Sequence, residues 1–126
     1  MTFLQMLLRG GTMNCVRLLK PETVAQMMQN QIGELTVHEM KSAHPAYSRS
    51  FDQFPDESHK WGYSFDINTL PSPNGRAAGS VSWAGVLNCH FWIDPVRKVT
   101  GGLFTQILPS TTSGSSRSHD AGLNRA

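Results

Sequence analysis

The stretch Ser80-Val-Ser-Trp-Ala-Gly-Val-Leu-Asn-Cys-His-Phe-Trp-Ile-Asp-Pro95 decides the fold that this sequence predicts. It begins with small residues, passes into a run of Val, Leu, Phe, Trp and Ile, and stops at the turn-forming pair Asp94-Pro95. Nearly every residue from Val86 to Ile93 suits a β-strand, and the run is too apolar for a strand with one face in water. We therefore expect a central strand covered on both faces.

Ala84 and Gly85 place small side chains near the start of this predicted strand. Glycine lets a backbone approach a ligand or a neighbouring chain where a larger side chain would block it. This part of the strand is therefore the first candidate for contact with a ligand.

Two further strands are predicted beside the central one. Residues 61–68 alternate, with Trp61, Tyr63, Phe65 and Ile67 on one side, which is typical of a half-buried strand. Residues 71–75, Pro-Ser-Pro-Asn-Gly, are residue types that strongly favour a turn. Residues 99–108 resume the strand pattern, so the sequence predicts an antiparallel meander of three strands over residues 61–108.

Two helices are predicted before the sheet. Residues 2–9 carry large apolar side chains at helical spacing, and Gly10-Gly11 is suited to end this helix. Pro21 is well placed in the first turn of a second helix. Together with the meander, these helices predict an α+β fold in which an antiparallel sheet is packed by helices.

The segment 34–60 is polar and irregular, and predicts a long surface loop. Loops of this length inside a compact domain are usually functional or disordered. It carries His38, His44 and His59, but in none of the recognised metal-ligand spacings. Metal-dependent hydrolysis through these three histidines is therefore kept only as a weak alternative, and no metal or cofactor is predicted.

Composition limits the class of protein. With 126 residues and 39% hydrophobic content, the chain is long enough for one domain with a core and too short for two. The net charge is only +2 and the 11 basic residues are scattered, which argues against nucleic acid or an anionic membrane as a partner. No apolar run approaches the length of a membrane span. The start lacks the basic region of a signal peptide, and the compartment stays open.

The end of the chain differs in character from the rest. Residues 110–126 contain five serines and no aromatic residue. Such a segment buries too little apolar surface to offset the entropy cost of ordering. We expect a domain over residues 1–109 and a disordered, Ser-rich tail over 110–126.

Several short segments also form a recognisable series. They are Phe3–Leu8 with Gly10-Gly11, Arg17–Leu19, Pro21–Val24, Asn30–Gly33, Trp61-Gly62, Gly79-Ser80, Trp83–Gly85, Phe91–Pro95 and Thr105-Gln106. In order and spacing this series, which spans about residues 2–109, resembles the serine β-lactamase and penicillin-binding-protein superfamily. Within that superfamily it is most similar to the class C-like branch of esterases.

The resemblance implies a role for Trp83, Ala84 and Gly85. By position they correspond to the family's third motif, Lys-Thr-Gly in β-lactamases and often Trp-Ala-Gly or Trp-Gly-Gly in the esterases, on a strand that lines the substrate cleft. It also implies that the backbone N–H of Val86 is one of two donors to the oxyanion. A plain aromatic packed on a sheet is the alternative for Trp83. Loss of the motif's lysine removes a cation for a substrate carboxylate, and so favours small esters over penicillins.

The family's other two motifs do not occur in this sequence. None of the four lysines has a serine three residues before it, and neither Tyr47 nor Tyr63 is followed two residues on by Asn. In the family both motifs precede the first helix predicted here, so the nucleophile and general base are expected upstream of Met1. The resemblance thus implies the C-terminal portion of a β-lactamase-related domain over 1–109, inactive alone because it lacks the attacking group.

A non-enzymatic alternative remains open. Missing strands would leave unpaired N–H and C=O groups at a sheet edge, and such an edge recruits another chain. The sequence is therefore compatible with two roles, a fragment of a serine hydrolase for a small ester or acyl substrate, and a binding module that self-associates through its sheet edge.

Overall fold

Five antiparallel strands form the main sheet, and each strand pairs with its neighbour in sequence. The computed structural model describes residues 1–52, 55, 57–73 and 75–110. Its elements are α1 (Thr2–Leu8), β1 (Thr12–Met13), β2 (Val16–Arg17), α2 (Pro21–Met27), β3 (His59–Trp61), β4 (Asp66–Asn68), β5 (Val81–Gly85), β6 (Cys89–Asp94) and β7 (Val99–Leu103). Strands β1 and β2 form a separate two-stranded sheet. The predicted α+β class and antiparallel meander are confirmed, with five strands instead of three.

The prediction of one central strand in the stretch Ser80–Pro95 is wrong, because the chain reverses within it. Strands β5 and β6 form a hairpin in which Gly85 lies opposite Cys89, and residues 86–88 make the loop. Asn88 has a positive φ of 58°, and its N–H donates to the Gly85 carbonyl at 3.0 Å. A three-residue loop that ends in a left-handed residue is a common hairpin connection, and Asn tolerates that conformation better than most residues.

The predicted strand over 61–68 is also two strands, β3 and β4. The chain turns between Trp61 and Asp66, which lie opposite each other, and Ser64 has a positive φ of 73°. Tyr63 is therefore exposed at the turn, whereas Asp66 and Asn68, predicted to face away from the aromatic side, are buried. Aromatic or aliphatic residues do alternate with small or polar residues over 61–68, but the alternation continues through a turn and does not mark a single strand.

The core lies between α1 and the sheet. Leu4, Met6 and Leu7 of α1 are buried with Val81 of β5 and Ile93 of β6. The Gln5 amide adds a hydrogen bond of 2.9 Å to the Thr100 hydroxyl on β7. Burial of such aliphatic side chains contributes about 1.5–3 kcal/mol each, and this contact fixes α1 on the sheet.

Both predicted helices occur where the sequence places them. α1 ends before Gly10 and Gly11, which have positive φ values of 64° and 91° and donate to the Leu7 and Met6 carbonyls. Pro21 is the first residue of α2, as predicted. In the described part of the chain, neither helix has the length and apolarity needed to cross a bilayer.

The Ser-rich tail lies outside the described residues except for Ser110. Ser110 is buried, and its N–H donates to the Tyr47 carbonyl at 3.0 Å. The last described residue therefore packs against the segment that was predicted to be a surface loop.

Candidate functional site

A cleft of about 350 Å³ opens beside the end of β5. We call it the central cleft. One wall is made by residues 83–86, the opposite wall by residues 40–51, and Asn88, His90 and Ser110 complete the lining. The stretch that the sequence singled out for ligand contact, Trp83 to Val86, therefore lies on a strand end that faces a cleft.

At the cleft, strand β5 extends beyond the end of its neighbour β4. The Asn68 N–H donates to the Ser80 carbonyl, so this carbonyl points towards β4. Backbone direction alternates along a strand, so the backbone groups of Ser82 and Ala84 lie on the same side as the Ser80 carbonyl. Because β4 pairs only with Ser82 and Val81, Ala84 lies past the end of that pairing. Its N–H and C=O are directed to the side where β4 has stopped.

Trp83 is held in place by two aromatic neighbours. Its ring meets Trp61 edge to face, with centroids 4.5 Å apart, and Phe51 in the same manner at 6.1 Å. Such pairs add about 0.5–1.5 kcal/mol beyond area burial. Trp83 is therefore both a packed aromatic and a lining residue of the cleft, so the two readings of this residue are compatible.

Residues 40–51 form the opposite wall, which we call the 40–51 hairpin. Met40 and Phe51 exchange two backbone hydrogen bonds of 2.8 and 2.9 Å at its base. Near its tip, the Tyr47 and Ser48 N–H groups both donate to the His44 carbonyl at 3.0 Å. Part of the segment predicted to be an irregular loop is thus a hairpin held by backbone hydrogen bonds.

A second tie holds the end of the described chain against the β5–β6 hairpin. The Asn88 side-chain amide donates to the carbonyls of Ile107 at 2.9 Å and Pro109 at 3.2 Å. The Thr105 hydroxyl donates to the Asn88 carbonyl at 3.0 Å. These bonds fix residues 105–110 beside the loop, and they position Ser110 in the lining.

Two serines that line the cleft already donate their hydroxyl hydrogens to backbone carbonyls. Ser42 donates to the Ser48 carbonyl, and Ser48 donates to the Arg49 carbonyl at 3.2 Å. A serine becomes a nucleophile when an adjacent base takes its proton. Donation to a carbonyl provides no such base, so neither serine is arranged for attack.

A buried charge cluster lies next to the cleft, in a small cavity that Trp83, Met40 and Phe51 also line. His59 is only 4% exposed, and its Nδ1 lies 2.9 Å from Asp66 Oδ1. Its Nε2 lies 3.4 Å from Glu57 Oε2. Burial by itself lowers the pKa of His59, but the hydrogen bonds and charges of Asp66 and then Glu57 outweigh it, so the pKa lies above its ordinary value.

The three histidines of the metal alternative do not form one group. His44 lines the central cleft, and His38 and His59 line the small cavity. Among the described residues, no group of three or more His, Cys, Asp or Glu side chains is placed to hold a metal ion. The geometry of the described chain thus offers no support for metal-dependent hydrolysis.

Several cleft residues were not predicted from the sequence. Lys41, Arg49 and Phe51 belong to a segment read as surface loop, and His90 was placed inside a fully apolar strand. The pairing of Met40 with Phe51 has no short-range turn signal that would have revealed the hairpin. His90 had a weak signal, since it is the one ionisable side chain between Val86 and Ile93 apart from a thiol.

Comparison with known proteins adds no family to this description. No family model matches the chain, and no curated protein matches it. The functional argument therefore depends on the residues of the cleft and on the resemblance described above.

Proposed function

We propose that this chain provides the acyl-binding wall of a serine hydrolase related to β-lactamases and penicillin-binding proteins, of the esterase type. The wall is formed by Trp83, Ala84 and Gly85, and the N–H of Val86 donates to the substrate carbonyl oxygen as charge develops on it. A substrate acyl group lies along the strand end, where small side chains leave room.

One observation carries the proposal. The end of β5 that holds the predicted third motif extends past β4 and lines a cleft, with the Ala84 backbone directed to the open side. Strand ends with small side chains and outward N–H groups are suited to bind an ester carbonyl, because a backbone donor needs no reorganisation. The cleft lies at the low end of the size range of small-molecule sites.

The attacking group is not part of the proposed wall. The sequence contains no Ser-x-x-Lys and no Tyr-x-Asn motif, and two of the cleft serines donate to carbonyls. In the proposed function the nucleophile and its base belong to another stretch of polypeptide. The chain by itself therefore binds an acyl ligand and does not turn it over.

Binding of a neutral acyl amide tests the proposal. We expect hexanamide to change the fluorescence of Trp83, and Ala84→Leu to weaken this binding at least about tenfold, because added bulk on the wall excludes the chain. Ala43→Leu adds the same bulk from the opposite wall. Val96→Leu, at an exposed position between β6 and β7, is the matched control.

Two results would count against the proposal. One is hexanamide binding that both wall variants leave unchanged while circular dichroism shows them folded. The other is hydrolysis of nitrophenyl butyrate or nitrocefin by the purified chain above background, because the proposed wall has no activated serine.

A binding module that acts through a sheet edge is the second candidate, and one observation favours it. The outer edge of β3 is covered, since Gln31 and Val37 donate to the Trp61 and His59 carbonyls. Among the described residues, no strand pairs with the outer edge of β7. Open edges associate with other strands. A concentration-dependent dimer in sedimentation, disrupted by Leu103→Lys, would favour this role.

A further inference from the structure

The ionisable side chains that line the central cleft are all basic. Lys41, His44 and Arg49 come from the 40–51 hairpin and His90 comes from β6, and none of the described lining residues is acidic. The chain as a whole carries a net charge of only +2. Because the chain also contains 9 acidic residues, their absence from the described lining gives the cleft a local basic character.

The two permanent cations lie on one wall and are held by the hairpin. Lys41 follows Met40, whose backbone pairs with Phe51, and the Ser42 N–H contacts the Ser50 hydroxyl at 3.4 Å across the hairpin. Arg49 follows Ser48 on the facing side. Within the described residues, no ion pair involves Lys41 or Arg49. Both residues thus line the cleft, and their charges remain available to an anion that enters it.

Much of the remaining lining is apolar. Trp83, Ala84 and Val86 belong to one wall, and Met40 and Phe51 to the 40–51 hairpin opposite it. The neutral polar residues of the lining are Ser42, Ser48, Asn88 and Ser110. A small inorganic anion could contact the two cations but would not cover the apolar wall. A neutral acyl chain would cover the wall but would make no charged contact with the cations. A ligand with an acyl chain and a carboxylate matches both parts of the cleft.

We propose that the central cleft binds an acyl compound that carries a carboxylate, with Lys41 and Arg49 holding the carboxylate and the wall from Trp83 to Val86 holding the chain. This inference rests on the proposed function and narrows its substrate class. The third motif of this chain has no lysine, and the 40–51 hairpin supplies the missing positive charge from the opposite wall.

The test compares two probes of the same shape, hexanoate and hexanamide, by calorimetry at low salt. Hydrogen bonds between ionised partners are stronger than neutral ones by an amount that predicts about tenfold tighter binding of hexanoate. The preference should shrink at about 0.5 M salt, because exposed charges are screened. Inorganic phosphate, which lacks the chain, should bind more weakly than hexanoate.

Variants assign the preference to the two cations. The double variant Lys41→Gln, Arg49→Gln is expected to bind hexanoate no better than hexanamide and to bind hexanamide as the wild type does. Both side chains are exposed, so the substitutions are compatible with the fold. Lys98→Gln, in the turn between β6 and β7, removes a cation outside the cleft and should leave both affinities unchanged.

The outcomes separate this inference from the proposed function. Equal binding of hexanoate and hexanamide, or a preference that survives the double variant, overturns the carboxylate site and leaves the acyl wall standing. Binding of hexanoate without hexanamide, abolished by the double variant, supports the carboxylate site and counts against the acyl wall. Phosphate binding as tight as hexanoate, or no binding of any probe, overturns the inference.

Discussion

His59 is the residue whose surroundings have the clearest energetic consequence. It is buried on β3 between Asp66, its partner from β4, and Glu57, which comes from the segment before β3. A buried imidazolium between two carboxylates is stable only while both partners stay in place. The cluster therefore ties the segment before β3 to the sheet, directly behind the Trp83 wall of the cleft.

This cluster predicts a stability that falls as the pH rises. The pKa of His59 is raised in the folded chain by Asp66 and Glu57 despite burial. The stabilising contribution is thus fully present below the unfolded pKa of about 6.5, and it is lost as the pH rises through the higher folded pKa. Urea unfolding at a series of pH values should show this decline in the wild type.

Replacement of His59 by Gln should remove the decline in that pH window. His38→Gln is the matched control, because His38 lines the same cavity and contacts Thr36 instead of a carboxylate. An identical slope in the wild type and in His59→Gln would contradict the assignment.

Among the elements, the β5–β6 hairpin organises the cleft. Its loop places Val86 in the lining of the cleft, and Asn88 joins the loop to residues 105–110 through two side-chain hydrogen bonds. One residue thus sets the backbone reversal with its positive φ and anchors a distant segment with its amide.

Two substitutions at Asn88 separate these contributions. Asn88→Ala loses both hydrogen bonds and the tolerance for positive φ, and we expect the free energy of unfolding to fall by about 2–4 kcal/mol. Asn88→Gly restores the backbone freedom, so the loss should be smaller by about 1 kcal/mol. Urea denaturation measures both values.

Hydrogen exchange offers the control for this pair. Both variants should expose the amides of residues 105–110 to exchange, because both lose the same anchor. Equal stability of the two variants, or unchanged protection of that segment, would show that Asn88 does not act as described.

The hairpins also show how far the sequence predicts this fold. The fold class, the antiparallel meander, both ends of α1, the start of α2 and the turn after Asp94 follow from residue patterns alone. The end of α2 does not, since Gly33 was expected to end this helix and it ends at Met27. The reversals at residues 62–65 and 86–88 do not, because Ser64 and Asn88 adopt positive φ inside runs that are otherwise continuous strand patterns. Gly85 and Asn88 were the available signal, since both residues favour turns.

The site was predicted on one wall only. Small residues in an apolar run pointed to Ala84 and Gly85 as a place of close approach, and the resemblance to the β-lactamase superfamily added Trp83 and Val86. The other wall was not, because the 40–51 hairpin is held by backbone pairs and short polar contacts that leave no periodic pattern. Its cations, Lys41 and Arg49, are visible only once the chain is folded.

At the scale of the whole molecule, the cleft is assembled from three distant parts of the chain. They are the 40–51 hairpin, the β5–β6 hairpin and residues 105–110, and residues 105–110 are hydrogen-bonded to both hairpins. Helix α1 packs on the sheet through the aliphatic core and contributes no residue to the cleft lining. The residues that form the core are therefore different from the residues that line the cleft.

The most direct measurement of the central claim is a nuclear magnetic resonance titration of the ¹⁵N-labelled chain with hexanamide. If Trp83 to Val86 form an acyl-binding wall, the largest shift changes occur at the Trp83 indole and at the amides of Ala84, Gly85 and Val86. The Val86 amide proton should move downfield as it donates to the ligand carbonyl. Shift changes confined to α1 or β7, or a Val86 amide that does not respond at saturation, would contradict the account.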